Sequence, residues 1–513
     1  MFLFDSFHNK EDNFYNKKSL EKISTNYSFT KDNFIKMTLI LIKLEAKIPV
    51  IIMGKSGYGN SLLIQKLFDF VSYGNFNNLK VLDFYPGIKI EEIINFFNLI
   101  ISEEENLEKK DNTKFRKNRL YIQKNIWIFL KNINYCKSMG LIKELICEHS
   151  LLGKQLNKNI TIISTYNSKF YKENDSLKTN EETGCYKYYP IPNSIKNFVL
   201  NFDEIDMKVE NIYIDNIINS SIEKINNNLN NEKLEEIKKL TKNLIIKCHK
   251  FIKENYNKLY ISLRDVARII KFYEFFYNYL KMKKEKKINN MNKGKTFEYN
   301  KFTEFDFHIY SINLSIYICY YLKIPNKILR IKLNNELNKL FKYNDFLSFP
   351  KNEQNFIINN MEIPKEIEIN NNLLENIFSL FFAINTKTSI FIVDNKNNDK
   401  LISLKLLYKS MKGLWSNNLL IKLYPKILLY SYQELIDIYS EQINKMYLKI
   451  NNFYGKLTHK NYSVIYFDGN EIKMPFHLLK SFEEKNIIFV GISNIYSEQI
   501  EINNVLYIRN PEC

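Results

Sequence analysis

A glycine-rich turn between an apolar run and a helix-like segment constrains the fold of this chain more than any other feature. Residues 49–63 read Pro-Val-Ile-Ile-Met-Gly-Lys-Ser-Gly-Tyr-Gly-Asn-Ser-Leu-Leu. This is the spacing of the phosphate loop G-x-x-x-x-G-K-S/T, in which backbone N–H groups and a helix N-terminus hold phosphates. Asn60 stands where that loop has its lysine. The segment therefore predicts an α/β nucleotide-binding unit with altered chemistry.

The loop supplies the first set of candidate ligand-binding residues. One charged hydrogen bond to phosphate contributes about 1.5–3 kcal/mol, or about 10- to 150-fold in affinity, so weak binding can survive the loss of the lysine. We expect Lys55 to substitute for it in part and Ser61 to ligate magnesium. A glycine-rich turn that binds no ligand is the alternative. The candidate nucleotide-binding residues of this loop are Gly54, Lys55, Gly57, Gly59, Asn60 and Ser61.

The residues that would carry out hydrolysis are missing from the partner strand. The apolar run 126–130 leads into Lys131 and Asn132, where a nucleotide hydrolase has two acids. Removing a general base typically costs about 10²–10⁴ in rate, and the stabilisation by magnesium is lost with the acids. Asn167 follows a further strand and is a candidate to orient the attacking water, although a turn asparagine would have the same spacing. The pattern indicates nucleotide binding without efficient hydrolysis.

Apolar strand-like runs alternate with helical segments in two parts of the chain. The first set predicts a parallel sheet, and residues 206–282 and 307–345 have helical periodicity without strands. A second α/β pattern follows, which makes the halves a weak internal repeat. The predicted strands are 50–53, 79–84, 126–130 and 160–163 in the first half, and 389–393, 427–430, 464–467 and 487–490 in the second.

The second α/β pattern has complementary losses. No glycine follows strand 389–393, and Asp394 would repel phosphate, but Lys400 stands at the lysine position. Strand 464–467 ends in Asp468, a candidate magnesium ligand, followed by Gly469 in place of a second acid. Asn494 follows the last predicted strand. Taken alone, the segment after 393 has the composition of a polar surface loop, and that is the interpretation it favours.

Composition limits the other classes of function. The net charge of +18 suggests nucleic acid or an anionic surface, but a coding bias toward Lys, Asn and Ile produces the same charge. The six cysteines and six histidines form no zinc-ligand spacing, which favours a reducing, cytoplasmic location. The most apolar stretches, 307–322 and 373–393, contain polar residues, so no membrane span is expected.

Several ordered motifs resemble the AAA+ units of the mysterin family of giant E3 ubiquitin ligases. The resemblance covers the chain from about Tyr27 to the end, with insertions. Its landmarks in the first unit are 29–30 with 48–54, 134–142, Asn167, 190–202 and 262–266; in the second they are 373–378, 431–433 and 489–494. The resemblance implies two tandem AAA+ P-loop units with parallel sheets flanked by helices. By the same resemblance we expect the first unit to have a helical lid and the second to be truncated before its lid.

The resemblance also implies roles for individual residues. Gly54, Gly59 and Ser61 would belong to the first phosphate loop, and Arg264 would contact the nucleotide from the lid. Asn167 and Asn494 would be sensors, Lys400 the second-loop lysine, and Asp468 the second Walker B aspartate. The chain departs from the family pattern at Asn60, Lys131, Asn132, Asp394, Leu401 and Gly469. Because the cysteine pattern offers no zinc site, we do not expect the zinc-binding ligase portion of the family in this chain, and ubiquitin transfer by it is not expected.

The sequence thus predicts four segments: a lead-in at 1–26, an α/β subdomain at 27–205, a lid and linker at 206–345, and a second α/β subdomain at 346–513. Together they form a degenerate AAA+ module, a pseudo-ATPase in which binding of ATP and magnesium is weak or lost. Its role would be that of a scaffold or regulator. The expected partners are other AAA+ units or subunits of a larger assembly and, by family, ubiquitin machinery. An active ATP hydrolase completed by partner residues is one alternative. A basic nucleic-acid-binding protein is the other, although nucleic acid is not an expected partner.

Overall fold

The computed structural model divides into two compact units, residues 1–216 and residues 217–513. The four-segment division made from sequence stays a prediction. The structure describes residues 30–54, 57–71, 78–85, 88–111, 126–167, 189–202, 207–225, 230–256, 261–285, 302–341, 345–361, 363–393, 399–411, 426–431, 461–468, 487–493 and 505–511.

The first unit is built on a five-stranded parallel sheet, as the alternation of strands and helices predicts. Its strands are β1 (Val50–Gly54), β2 (Leu79–Asp83), β3 (Ile126–Lys131), β6 (Ile160–Asn167) and β7 (Val199–Asn201). Their spatial order is β2-β3-β6-β1-β7. A short hairpin pairs β4 (Ser150–Leu151) with β5 (Lys154–Gln155). The four longer strands of the sheet confirm the predicted runs, whereas β7 was not predicted.

Helices cover both faces of this sheet. Because its strands are apolar at successive positions, both faces need a partner layer. On one face Ile52 packs in a cluster with Leu63; on the other Ile51 packs in a cluster with Phe97 and Ile142. The helices of this unit are α1 (Lys31–Glu45), α2 (Asn60–Val71), α3 (Ile90–Asp111) and α4 (Met139–Lys143), which runs into a π-helical turn (Glu144–Glu148). A further helix, α5 (Met207–Ile225), begins in the first unit and ends in the second.

The second unit contains a parallel sheet with the same topology. Its strands are β8 (Ile390–Val393), β9 (Lys426–Ser431), β10 (Asn461–Asp468), β11 (Ile487–Ser493) and β12 (Leu506–Arg509), in the order β12-β8-β11-β10-β9. In both sheets the first strand lies between the fourth and the fifth. The shared order supports the predicted internal repeat. The last strand, β12, was not predicted.

Seven further helices lie in the described part of the second unit. They are α6 (Asn231–Asn255), α7 (Leu263–Glu285), α8 (Glu304–Cys319), α9 (Lys327–Leu340), α10 (Ser348–Asn359), α11 (Asn371–Asn385) and α12 (Asp399–Met411). Polar residues before three of them accept hydrogen bonds from the first helical turn: Thr303, Asn326 and Asn370. Such caps satisfy N–H groups that have no partner within the helix. Helix α6 and most of α7 lie where helical periodicity without strands is predicted.

The predicted lid helices and the second α/β pattern are packed together within this unit. The ring of Phe382 on α11 lies 4.7 Å, centroid to centroid, from that of Phe276 on α7. Arg330 on α9 forms an ion pair of 2.8 Å with Glu375 on α11, and its guanidinium also donates to the carbonyl of Arg509 on β12. Within the described residues, none of the helices is both long and apolar enough to span a membrane.

Candidate nucleotide site

The described part of the glycine-rich turn in the first unit, from residue 57 onward, has backbone features that suit a phosphate cradle. Gly57 and Gly59 both have φ of 86°, a conformation that glycine adopts without steric cost. Helix α2 begins directly afterwards at Asn60, and the N–H of Leu63 donates to the carbonyl of Gly59 at 2.8 Å. The first N–H groups of a helix lack intrahelical partners and carry the positive end of its dipole. This arrangement suits an anionic ligand.

Asn60 lies against the first glycine of the loop. A Cβ atom at position 54 would lie 2.1 Å from Nδ2 of Asn60 and 3.3 Å from the carbonyl oxygen of Phe202. Only glycine therefore fits at this position while the Asn60 amide stays there. Ser61, the predicted magnesium ligand, is the second residue of α2 and is half-buried. Lys55 lies outside the described residues.

The predicted sensor residue Asn167 lies beside this loop. Asn167 ends β6 and pairs in register with Gly54, the last residue of β1. Its side chain is buried, and its backbone N–H donates to Oδ1 of Asn134 at 3.3 Å. Asn134 is 0% exposed, and its Nδ2 has no hydrogen-bond partner in the part of the chain that the structure describes. The role of Asn167 as a sensor stays a prediction; Asn134 was not among the predicted site residues.

The end of β3 is occupied by an amide network in place of acids. Asn132 has a left-handed backbone, with φ of 58°, which asparagine tolerates better than most residues. Its N–H donates to Oγ1 of Thr165 at 3.2 Å, and its Nδ2 donates to Oδ1 of Asp83 at 2.9 Å. Asp83 pairs in register with Lys131. A carboxylate is thus present at this edge, but on β2.

Sequence reasoning missed Asp83 because its spacing matches no phosphate-loop motif. The signal that could have found it is its position as the last residue of a strand that ends at the same sheet edge. The carboxyl ends of parallel strands are where ligands bind in open α/β sheets.

The residues at this edge fit phosphate but do not fit magnesium. Magnesium in phosphate-transfer sites is held through carboxylate oxygens and substrate phosphates, and Lys131 is a cation at that place. Asp83 lies three strand positions from β1, roughly 14 Å, and is therefore too far to ligate an ion held by the loop. No group of three or more metal-ligating side chains occurs among the described residues.

In the second unit, the lysine of the degenerate loop binds to the protein itself. Lys400 is the second residue of α12 and only 3% exposed, and its Nζ donates to the carbonyl oxygen of Ser493 at 3.1 Å. Ser493 is the last residue of β11. Residues 394–398, Gly469 and Asn494 lie outside the described residues. Asp468 ends β10, where its backbone pairs with Ile492. The predicted binding roles of Lys400 and Asp468 stay predictions.

Arg264, the predicted lid contact, is the second residue of α7. Its backbone N–H donates to Oγ of Ser262 at 3.3 Å, and Asp265 accepts from the N–H of Ser262 at 2.9 Å. These bonds form the N-terminal cap of the helix. Arg264 lies in the second unit, and its contact with nucleotide stays a prediction.

Two family models, both described as RNF213 AAA domain, match residues 27–170 and 366–513. These ranges contain most of the two sheets and both phosphate-loop positions. They confirm the predicted pair of α/β AAA+ units and their order along the chain.

Curated relatives match over most of the chain at low identity. The E3 ubiquitin-protein ligase RNF213 of Homo sapiens is 22% identical over 94% of this chain and 10% of its own length. The E3 ubiquitin-protein ligase rnf213-beta of Danio rerio is 23% identical over 79% of this chain and 8% of its own length. The chain therefore spans about a tenth of the length of these relatives.

Likeness to solved structures is weak and carries no argument about the fold. A closed-state cryo-EM reconstruction of Hsp104 with ATPγS and FITC casein has a TM-score of 0.25 and 9% identity, over 97% of this chain and 82% of that one. The Hef helicase domain of Pyrococcus furiosus has a TM-score of 0.22 and 9% identity, over 90% and 96%.

The two model matches together span more than half of the 513 residues. The chain belongs to the RNF213 AAA family and carries two of its AAA domains in tandem.

Proposed function

We propose that this chain is a degenerate tandem AAA+ module that binds nucleotide weakly in its first unit, does not hydrolyse it efficiently, and acts as a scaffold or regulator. The observation that carries the proposal is the hydrogen bond between Asn132 and Asp83. Asn132 places a neutral amide at the end of β3, where hydrolysis needs an acid, and this amide is held by Asp83. The positive-φ glycines of the loop support retained phosphate binding.

The same network argues against efficient turnover. Lys131 and Asn132 supply no carboxylate to activate water, and Asp83 is directed to the amide of Asn132. Loss of a general base typically lowers the rate by about 10²–10⁴. The structure also supports a degenerate second site, because Lys400 donates to a backbone carbonyl of its own sheet.

Restoring the missing lysine tests the first part of the proposal. We expect Asn60→Lys to raise affinity for a fluorescent ATP analogue by about 10- to 150-fold, since a charge-assisted hydrogen bond to phosphate is regained. Turnover should stay at background, because no acid has been added. Titration of the fluorescent analogue and a phosphate-release assay measure the two quantities.

Asn60→Gln is the matched control, because it lengthens the side chain without adding charge; it should leave affinity nearly unchanged. Gly59→Val should abolish binding if the probe occupies the first loop. Robust turnover by the unmodified chain that survives substitution of both Ser61 and Asp468 would contradict the proposal and favour an ATPase built from other residues.

The larger setting is also a proposal. The curated relatives are named as E3 ubiquitin-protein ligases, and this chain corresponds to about a tenth of each. We propose that it works beside other AAA+ units or subunits of a larger assembly and, through them, with ubiquitin machinery. Co-purification of the tagged chain with a defined ring-forming partner would support this, and a strictly monomeric chain under all conditions would count against it.

A further inference from the structure

We propose that the first unit takes its nucleotide as a metal-free polyanion, with Lys131 supplying the positive charge that magnesium supplies in a site with acids. The inference rests on the proposed nucleotide binding and adds the form of the ligand. It follows from a disagreement at one sheet edge: the phosphate cradle is present, whereas the residues beside it do not suit a divalent cation.

Lys131 is placed on the side of the sheet that carries the cradle. Its Nζ lies 5.3 Å from the ring centroid of Phe129. Phe129 packs in the same cluster as Leu63 and Phe68 of α2, the helix whose N-terminus completes the cradle. Strand β3 is two positions from β1 in the sheet, roughly 10 Å, a distance that a bound triphosphate can bridge.

The charge at this edge favours an anion over a cation. Carboxylates on β3 would offset the charge of a divalent ion, whereas Lys131 adds to it. The carboxylate at this edge, Asp83, accepts from Asn132 and lies on the far side of β3 from the loop. A nucleoside triphosphate without magnesium carries more negative charge and therefore gains more from Lys131 than the magnesium complex does.

A buried amide provides an independent sign of a polar ligand at the same edge. Asn134 is 0% exposed, and its Oδ1 accepts from the N–H of Asn167, the strand neighbour of Gly54. Its Nδ2 donor is left without a partner in the described part of the chain. Buried donors are normally satisfied, so an orphaned one beside the cradle is consistent with an acceptor supplied by the ligand.

The test is titration of the full chain with a fluorescent ATP analogue, in excess EDTA and in excess magnesium chloride. We expect binding in EDTA at least as tight as with magnesium. Lys131→Ala should weaken binding in EDTA by about 10- to 150-fold, the loss of one charge-assisted contact, and weaken it less with magnesium. Lys131→Asp should make binding depend on magnesium, because it restores an acid at the end of β3.

Lys143→Ala is the control, because it removes the same charge from α4, which packs on the opposite face of the sheet. It should change affinity little in either buffer, and Gly59→Val should abolish the signal in both. Binding that requires magnesium in the unmodified chain would overturn this inference and leave the proposed function standing. Absence of binding in both buffers would overturn both.

Discussion

Gly491, on the central strand β11 of the second sheet, lies directly against a side chain of the neighbouring strand β8. It pairs in register with Phe391 on β8, and a Cβ atom at position 491 would lie 1.9 Å from Cδ2 of that ring. The aromatic ring therefore fills the space that a side chain would occupy. A glycine in a strand interior is explained here by close approach rather than by backbone conformation.

We expect Gly491→Ala to destabilise the second unit by about 1–3 kcal/mol, the usual cost of overpacking a core. Adding Phe391→Leu to Gly491→Ala should recover part of this loss, because the smaller side chain vacates the space. Chemical denaturation of the unmodified chain, the two single variants and the double variant measures the coupling free energy between the two positions. Gly140→Ala is the control of opposite sign: nothing lies within 4 Å of its Cβ position in α4, so helix propensity should stabilise that variant slightly.

At the scale of single residues, the sequence predicted where loop residues lie better than it predicted which side chains form hydrogen bonds. The loop spacing located Gly57 and Gly59, both of which adopt positive φ. It could not predict the bond between Asp83 and Asn132, because these residues lie 49 positions apart and meet only through the pairing of β2 with β3. Nor could spacing reveal that Lys400 binds Ser493, 93 positions away.

At the scale of elements, a buried ion pair connects α7 to α10. Nζ of Lys283 lies 2.7 Å from Oε2 of Glu353, and both side chains are 0% exposed. Tyr279 donates to the same oxygen, and the ring centroid of Phe356 lies 3.5 Å from Nζ. Burial lowers the pKa of Lys283 to about 8, against the opposing effect of Glu353. The pair therefore links the two helices through a buried, charged contact.

We expect Glu353→Gln to destabilise the second unit by about 3–5 kcal/mol, because it leaves a buried ammonium without its counter-charge. The double variant Lys283→Met/Glu353→Leu should cost clearly less than Glu353→Gln. Urea denaturation followed by circular dichroism gives the free energies. The ion pair between Lys238 and the exposed Glu223 is the control, and Glu223→Gln should cost less than about 1 kcal/mol. Equal costs for both glutamines would contradict this account.

Helices and strands could be predicted from the sequence where the apolar pattern is long, and were missed where it is short. The strand predicted at 126–130 is observed at Ile126–Lys131, and the strand predicted at 464–467 extends to Asn461–Asp468. The strands Val199–Asn201 and Leu506–Arg509, which complete the two sheets, were not predicted. Runs this short carry little periodicity, and they become strands by pairing with the first strand of each sheet.

At the scale of the whole molecule, the division into two compact units argues against a single unfolding transition. His308 offers a label for the second unit. Its Nδ1 shares a hydrogen bond with the hydroxyl of Tyr273, its ring packs 4.7 Å from that of Tyr277, and its Nε2 has no partner among the described atoms. Burial lowers the pKa of His308 to about 4.

The sign of the pH effect follows from that depressed pKa. The unfolded chain protonates His308 near pH 6.5, whereas the folded chain resists protonation until about pH 4. The unfolded state therefore binds more protons in this window, and stability falls as pH drops through it, by up to about 3 kcal/mol. We expect calorimetry to show two transitions, one of which loses part of its acid sensitivity in His308→Gln. His149→Gln, in the first unit, should leave that transition unchanged.

Lys400, the buried lysine at the loop position of the second unit, has a consequence for how such a module would be controlled. A working ATPase site alternates between nucleotide-bound and empty states, and each exchange of ligand changes the contacts at the edge of the sheet. Lys400 is already satisfied by the carbonyl of Ser493. We therefore expect this position to keep the same hydrogen bond while neighbouring units bind and release nucleotide. The second unit would then contribute a constant conformation to an assembly.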